Sequence, residues 1–429
     1  MKTYRNMTRD ELLKEKEALE EEYRKVKEKK LNLNMSRGKP SSEQLDLSMP
    51  MMDFLNGTSN MLDSEGNDCR NYGVLDGLND CKELMASLVH TSPENVIIYG
   101  NASLSIMYDT ISRSITHGVN GSTPWCRLDQ VKFLCPAPGY DRHFAITEFF
   151  GIEMITIPMH EDGPDMDMVE QYVNNDPAVK GIWCVPKYSN PQGYVYSDEV
   201  VRRFAALKPA AEDFRIFWDN AYCVHHLYDD EQPEIPEILS ECEKAGNPDM
   251  VYEFFSTSKI TFSGAGIAAL ATSKNNLDFI KKQLTKQTIS YDKINQLRHV
   301  KFLKDAEGVQ AHMRKHADIL RPKFQAVLQI LEQELGGLEI GSWISPRGGY
   351  FISFEALDGC AKAIVAKAKE AGVILTGAGA TYPYGRDPKD SNIRIAPSYP
   401  PMDELVEAAK LFALCVKLVS VDKFLAEKQ

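Results

Sequence analysis

Four groups of residues have types that could do chemistry together. Lys259 lies in Ser256-Thr257-Ser258-Lys259-Ile260-Thr261-Phe262-Ser263-Gly264-Ala265-Gly266, between hydroxyl residues and a glycine-containing run. A lysine becomes a nucleophile when its surroundings favour the neutral amine and hold it beside a carbonyl. Small hydroxyl residues around it leave room for a bulky ligand and can donate hydrogen bonds to a phosphate. The other groups are Ser189-Asn190-Pro191-Gln192-Gly193, Asp219-Asn220-Ala221-Tyr222 and the single Arg394. Taken one at a time, each has an ordinary explanation. Lys259 reads as a surface lysine, Asp219 and Asn190 as turn or cap residues, Tyr222 as packing, and Arg394 as a weak surface ion pair. Their order along the chain, on the elements that must position them, is what sets them apart.

Those elements follow from apolar runs separated by helical stretches. Strand patterns recur at Val96–Tyr99, Val131–Cys135, Glu153–Ile157, Gly181–Val185, Arg215–Asp219, Tyr252–Ser256 and Ile267–Thr272. Runs of this kind between helices predict a mainly parallel, seven-stranded sheet covered on both faces, a three-layer α/β fold. Ligands in such sheets gather at the carboxyl ends of strands. Asn101, Pro138-Gly139-Tyr140, Asn190, Asp219 and Lys259 all follow such ends. After Val96–Tyr99, Gly100-Asn101-Ala102-Ser103 leads into a helix, and free N–H groups at a helix start attract anions. Before the sheet, residues 8 to 30 read as one charged helix, with Thr8 and Glu11 as a capping box. Gly38 lies between Arg37 and Lys39, either in a solvated loop or where the backbone approaches an anionic ligand. A helix is expected from about 300 to 335. Beyond it, strand-like segments at Leu338–Ile340, Gly349–Phe354, Val373–Leu375 and Asn392–Ile395 alternate with helix, and a helical tail starts at Met402. The expected division is a large domain over 49–309 and a smaller α+β domain from 1–48 and 310–429.

Composition narrows the function. The 429 residues are 43% hydrophobic and 26% charged with a net charge of -12, which suits a soluble globular protein and argues against a nucleic-acid partner. No apolar run reaches the roughly 20 residues of a membrane span, and Met1 to Asn6 leads into a charged helix rather than an export signal. Nine cysteines without a Cys-x-x-Cys pair point to reduced thiols in the cytoplasm. No metal-type cluster is expected, and His312 and His316, four apart on the long helix, read as solvated side chains.

The ordered set resembles the fold type I, pyridoxal-phosphate-dependent aminotransferases of classes I and II, over nearly the whole chain. Met35-Ser36-Arg37-Gly38-Lys39-Pro40, the phrase from Pro136 to Phe144 and the run around Lys259 look like the aspartate-aminotransferase-like branch, related to the catalytic domains of the MocR regulators. The resemblance implies that Lys259 forms the Schiff base with pyridoxal 5'-phosphate and shuttles the substrate proton. It implies that Asp219 pairs with the pyridine nitrogen, keeping the ring an electron sink, and that Tyr222 and Asn190 bind the ring's phenolic oxygen. Asn101, Ala102 and Ser103, with Ser256 and Ser258, would hold the phosphate. Tyr72 would reach it from the partner subunit, which implies a homodimer with shared active sites. Arg394 would grip the substrate carboxylate bidentately, helped by the Gly38 N–H.

Two positions depart from the family pattern. Ile267 stands where members usually carry an arginine for the phosphate, and Ala137 where a stacking Trp or Tyr is common, so stacking falls to Tyr140. The expected reaction moves an amino group from aspartate to 2-oxoglutarate. Arg37, Lys39, Lys293 and Arg298 are all eligible to read a distal carboxylate. A β-lyase or decarboxylase of the same fold would use the same lysine. More remote are a dinucleotide-binding oxidoreductase, prompted by Gly264–Ala269, and a non-catalytic regulator. A strand rather than a helix is expected after that glycine run, and the segment before Met35 is too short for a DNA-binding module.

Overall fold

The chain, described over residues 2–428 in a computed structural model, starts with helix α1 (Arg9–Glu28), strand β1 (Leu33–Asn34) and helix α2 (Ser42–Asp46). The central part runs α3 (Asn79–Ser87), β2 (Val96–Ile98), α4 (Ser103–His117), β3 (Lys132–Ala137), α5 (Asp141–Phe149), β4 (Glu153–His160) and β5 (Gly163–Pro164). It continues with α6 (Met166–Asn175), β6 (Val179–Cys184), α7 (Asp198–Ala205), β7 (Arg215–Asp219), α8 (Ile238–Lys244), β8 (Val251–Ser256) and β9 (Ala268–Ala271). Helices α9 (Lys274–Gln287), α10 (Lys293–Leu303) and α11 (Ala306–Leu335) lead out of it. The last part is β10 (Gly341–Trp343), β11 (Ile352–Ala356), α12 (Ala361–Glu370), β12 (Val373–Ile374), β13 (Asn392–Ile395) and α13 (Met402–Glu427).

The main sheet has the order β2-β9-β8-β7-β6-β3-β4-β5. Pairings from β8 through β7, β6 and β3 to β4 are parallel, while β9 runs antiparallel to both of its neighbours. Two reversals leave β2 pointing the same way as β8, so the chain leaves β2, β8, β7, β6 and β3 at one edge of the sheet. Seven of these strands match the expected runs. The eighth, β5, is a two-residue hairpin return against the end of β4. Its Gly and Pro carry no strand pattern, since Pro has no N–H for a ladder and Gly no side chain to pack.

Strands β3, β6, β7 and β8 are almost wholly buried because helices cover both faces. On one face Phe133 meets Trp125, Trp183 and Phe217, with ring centroids 5.9, 5.7 and 5.3 Å away. Gly181 makes room for that ring, since a Cβ there would lie 2.4 Å from the Phe133 Cζ. Another core gathers Tyr4 to Met35 with Leu320 to Leu425 around α13, the most apolar of the long helices. Helix α1 is capped by Thr8 and Glu11 as the capping box predicts, and buries only Leu12 and Leu19.

The last sheet, β10-β11-β13, differs in its boundaries from the expected strands. Leu338–Ile340 is a turn because Glu339 takes a left-handed φ of 57°, so β10 starts only at Gly341. Strand β11 starts at Ile352 rather than Gly349, whose N–H is spent on the His225 carbonyl at 2.9 Å. Strand β12 pairs in parallel with β1, bringing the N-terminal segment beside the end of the chain.

Removing the Phe133 ring leaves a cavity that the flanking tryptophans cannot close. Phe133→Ala should cost about 3–5 kcal/mol, seen as a lower urea midpoint with an unchanged slope.

Candidate active site

The strand ends at that one edge of the sheet surround a cavity of about 440 Å³. Lys259, Asp219, Tyr222, Asn190, Tyr140 and Arg394 line it, and Ser36 to Lys39 close one side. Asp219 is the last residue of β7, and Lys259 lies three residues beyond the end of β8. Tyr140 and Asn190 follow β3 and β6. The expected residues therefore arrive from separate strands at one place, as the parallel topology requires.

The Lys259 amine lies 4.9 Å from the Tyr222 ring centroid and 5.8 Å from that of Tyr350. Loss of water lowers its proton affinity from the usual lysine value, while the Asp219 charge acts in the opposite direction. Burial pushes the Tyr222 phenol well above its ordinary range, with Tyr140 and Asp219 adding to the shift. Asp219 is 2% exposed and its Oδ2 accepts a 2.8 Å hydrogen bond from His143 Nε2. The His143 ring is stacked on Trp183 with centroids 4.4 Å apart. Among the described residues, the other carboxylate oxygen, Oδ1, has no partner. Tyr140 stands edge-on to His143 at 4.9 Å.

Residues expected at a phosphate also come together. Helix α4 starts at Ser103, with Ala102 in the extended conformation of a cap. Ser258 Oγ donates to the Asn101 carbonyl at 3.3 Å, and Ser256 Oγ donates to Ser258 Oγ at 3.0 Å. Ile267 is 1% exposed and its N–H donates to Thr257 Oγ1 at 2.9 Å, so this position ties the loop together and supplies no charge. Thr261 Oγ1 is 2.8 Å from His299 Nε2, which anchors the same loop from α10. The Gly264–Ala269 run leads into β9, so it lacks the helix that a dinucleotide site needs.

Arg394, on β13, donates from Nη1 to Asp141 Oδ1 at 2.8 Å and to Asn190 Oδ1 at 3.2 Å. Its Nη2 donates to Thr376 Oγ1 at 3.3 Å, and the guanidinium lies 4.7 Å from the Phe351 centroid. That burial rules out a surface ion pair. Gly38 presses on the tip of the same Phe351 ring, where a Cβ would sit 2.3 Å from Cζ. Tyr72 is not in the cavity. It is 79% exposed, on a turn whose Asn71 and Gly73 carbonyls accept from the Lys293 ammonium at 2.6 and 2.9 Å.

The four cations eligible for a distal carboxylate now separate. Lys293 is buried and spent on carbonyls, and Arg298 donates to Asn295 outside the cavity. Lys39 is held over the Tyr399 ring at 3.9 Å. Arg37 lines the cavity, and among the described residues it has no acidic partner within 4.0 Å. Asp141, Arg142 and Phe351 also line the cavity, His143 bonds Asp219 and Tyr350 faces Lys259; none of these five was expected there. Asp141, Arg142 and His143 all lay within the phrase Pro136 to Phe144, and their nearness to Tyr140 was the available signal. Tyr350 and Phe351 had none, because long-range packing brings them in. His312 and His316 are a correction: they are buried, 5% and 1% exposed, because α11 turns them toward the lysine loop.

A desolvated lysine, an unpartnered buried carboxylate oxygen and a helix start lined with hydroxyls match an aldehyde, a pyridine nitrogen and a phosphate. The residues present therefore fit pyridoxal 5'-phosphate. The sequence profile described as aspartate amino-transferase matches residues 7–428. The chain belongs to this family. It is 46% identical over 409 residues to an aspartate aminotransferase of Corynebacterium glutamicum, covering 95% of this chain and 94% of that protein. The crystal structure of an aspartate transaminase from the same organism superposes with a TM-score of 0.95 at 45% identity, covering 98% of this chain and 99% of the other. An alpha-aminoadipate aminotransferase from Thermus thermophilus, crystallised with N-(5'-phosphopyridoxyl)-L-leucine, shares the fold at a TM-score of 0.73 and 18% identity, over 90% and 92% of the two chains. Family membership makes this protein a pyridoxal-phosphate-dependent aminotransferase of fold type I, as the resemblance implied.

Burial leaves its mark on the histidines that hold the lysine loop. His299 and His316 are both pushed down to about 4 from 6.5, chiefly by loss of water. Between those values the unfolded chain binds protons that the folded one refuses, so stability falls as pH drops through 6.5 toward 4 and the loss is complete below 4. Each histidine should contribute on the order of 3 kcal/mol to this acid sensitivity. Urea midpoints measured from pH 7 to 4 should show it, and His299→Gln should flatten the slope.

Proposed function

We propose that this protein transfers the amino group of L-aspartate to 2-oxoglutarate. The observation that carries the reading is a desolvated Lys259 amine sharing one cavity with Arg394 and with the unpaired Arg37 and Arg142. The relative named an aspartate aminotransferase supports the same substrate. When bound, pyridoxal phosphate supplies the electron sink that makes the substrate Cα proton removable. The chain's own residues do the rest. Lys259 takes that proton on Nζ and returns it on the far side of the transfer, a task that needs an amine able to shed its proton. Asp219, steadied by His143, would hold a proton at the ring nitrogen through its free Oδ1. Tyr222 and Asn190 would orient the phenolic oxygen, and Tyr140 would pack against the ring.

The start of α4 with Asn101, Ala102, Ser103, Ser256 and Ser258 carries the phosphate by N–H and hydroxyl donors and by the helix dipole, without the arginine that Ile267 replaces. Arg394 and the Gly38 N–H orient the substrate α-carboxylate. Arg37 and Arg142, both lining the cavity, read the distal one.

The working molecule is a homodimer. Tyr72 stands exposed on its Lys293 strut, and Met49, Met52, Phe54, Ile289 and Ile294 are also exposed. A second copy covering this face would carry Tyr72 to the neighbouring phosphate. The large domain spans 49–309, and the small domain joins 1–48 to 310–429, a division supported by the core around α13, which draws mainly on residues 4–35 and 320–425. No described helix is long and apolar enough to cross a membrane. Nine cysteines free of disulfides support a reducing cytoplasm.

Protein incubated with pyridoxal phosphate should gain a visible absorbance band that Lys259→Ala lacks. Absence of the band in the wild type would defeat the reading. With the band present, half-reactions across L-amino acids should favour aspartate and glutamate over alanine and phenylalanine. Arg37→Gln and Arg142→Gln should each lower kcat/KM for aspartate by on the order of 10- to 100-fold, with alanine little changed. Equal losses on both substrates would remove these arginines from the distal site. Repeated turnover without an acceptor, releasing ammonia with a keto acid or carbon dioxide with an amine, would indicate a lyase or a decarboxylase instead.

A further inference from the structure

Beneath Lys259 lies a buried polar chain that the reaction as described does not use. Gln44, on α2, is fully buried, and its Oε1 accepts from the Ser41 N–H at 3.1 Å. That bond orients the amide, so Nε2 donates to the Tyr350 hydroxyl at 2.9 Å and to His316 Nδ1 at 3.1 Å. His312, one helical turn away, places Nε2 2.8 Å from the Ile260 carbonyl and 3.2 Å from His316 Nε2. Because a carbonyl only accepts, His312 carries its proton on Nε2, and His316, whose Nδ1 accepts from Gln44, carries its own on Nε2, so the two rings pack edge to face at 4.9 Å instead of sharing a hydrogen bond. Ser48 Oγ reaches His312 Nε2 at 3.1 Å, and Ser48 is fully buried.

Both ends of this chain touch the lysine. At one end is the carbonyl of Ile260, the residue after Lys259. At the other is Tyr350, whose ring faces the Lys259 amine and lies 6.1 Å from the Tyr222 ring. His225 stands edge-on to both tyrosines, at 5.6 and 5.9 Å. The titratable groups facing the amine are thus Asp219, Tyr222, Tyr350 and His225. Burial holds the two tyrosines and His225 in their neutral forms. Gln44 and Ser48 belong to the same N-terminal segment as Gly38, which packs on Phe351 beneath Arg394.

We propose that Gln44, His316 and His312 are positioning residues for Lys259, coupling the seating of the N-terminal segment to the direction and proton affinity of the lysine amine. A buried, close-packed polar chain suits this task, because each member has few alternative partners and a shift at one end must be taken up at the other. The inference rests on Lys259 being the residue that holds the cofactor. It adds that the segment contacting the substrate carboxylate and the loop carrying the lysine move as one unit.

The test uses holoprotein and three variants. Gln44→Leu breaks the chain at its centre but also removes a cap of α2. His316→Phe breaks it with the cap intact, and Tyr350→Phe removes only the hydroxyl. The readout is the pH midpoint of the bound cofactor's visible absorbance, beside kcat and the thermal midpoint. If the inference holds, Gln44→Leu and His316→Phe shift the absorbance midpoint by about 0.5–1 pH unit and lower kcat by about tenfold or more. Tyr350→Phe should reproduce part of that shift, and combining it with Gln44→Leu should add little, since both cut one link. An absorbance midpoint and kcat unchanged in Gln44→Leu and His316→Phe, with only the thermal midpoint lowered, would overturn the inference. That result is distinct from failure of the underlying reading, in which the wild type itself forms no visible band.

Discussion

Taking the Lys259 amine out of water is the constraint to which the rest of the site answers. An ammonium in a low-dielectric pocket is costly, and a lysine meets that cost by giving up its proton more readily. Asp219 pulls the other way, since a carboxylate nearby favours the charged amine. A contact ion pair would keep the amine protonated and useless as a nucleophile. Among the described residues, Lys259 has no carboxylate within 4.0 Å. His143 and its stacked Trp183 hold the Asp219 carboxylate in place and leave its free oxygen for another partner. The aspartate can thus serve the ring nitrogen without capturing the lysine.

The sheet makes this separation possible. Residues on adjacent strands of one edge are spaced by the strand separation, roughly 5 Å per step, so groups from β3, β6, β7 and β8 face one cavity without collapsing onto each other. The phosphate end uses a different economy. Ile267 closes the loop on Thr257 through its N–H and packs into the core around α3. The loop gains rigidity from an apolar side chain, and the anion is left to the helix start and hydroxyl donors. Dipoles fixed in direction can stabilise a phosphate without adding a full charge that would also act on Lys259.

Much of this could be read from the chain alone. Seven strands and the residues at their ends followed from apolar runs and turn chemistry, because each such signal is local. The same held for Thr8 with Glu11 and for the rise of α4 after Ala102. What escaped depends on contacts between distant segments. His312 and His316 looked solvated because helical spacing alone does not say which face is covered; Gln44, more than 250 positions earlier, covers it. Lys293 looked free for the same reason, until the Asn71 and Gly73 carbonyls were seen to claim it. β5 was missed because two residues of Gly and Pro carry no strand signal. β10 was displaced because a left-handed Glu339 cannot be told from sequence.

The pKa shifts around the cavity all point one way, and that direction explains how so few charges control it. Burial moves Tyr222 and Tyr140 upward, Tyr140 to about 12, and moves His225, His299, His312 and His316 downward. Glu253, whose Oε1 accepts from Asn220 next to Asp219, is pushed up to about 8. Every one of these groups is driven toward its neutral form at neutral pH. The strong charges left at the cavity are Asp219, the Arg394–Asp141 pair, Lys39 over its tyrosine ring and the two free arginines. The charge that acts on the Lys259 amine is that of Asp219, and the field would change if a substrate carboxylate entered beside Arg394. A dicarboxylate would neutralise the free arginines as well. The lysine then works in a field that reports which substrate is bound, because the surrounding titratable groups have been made silent by burial.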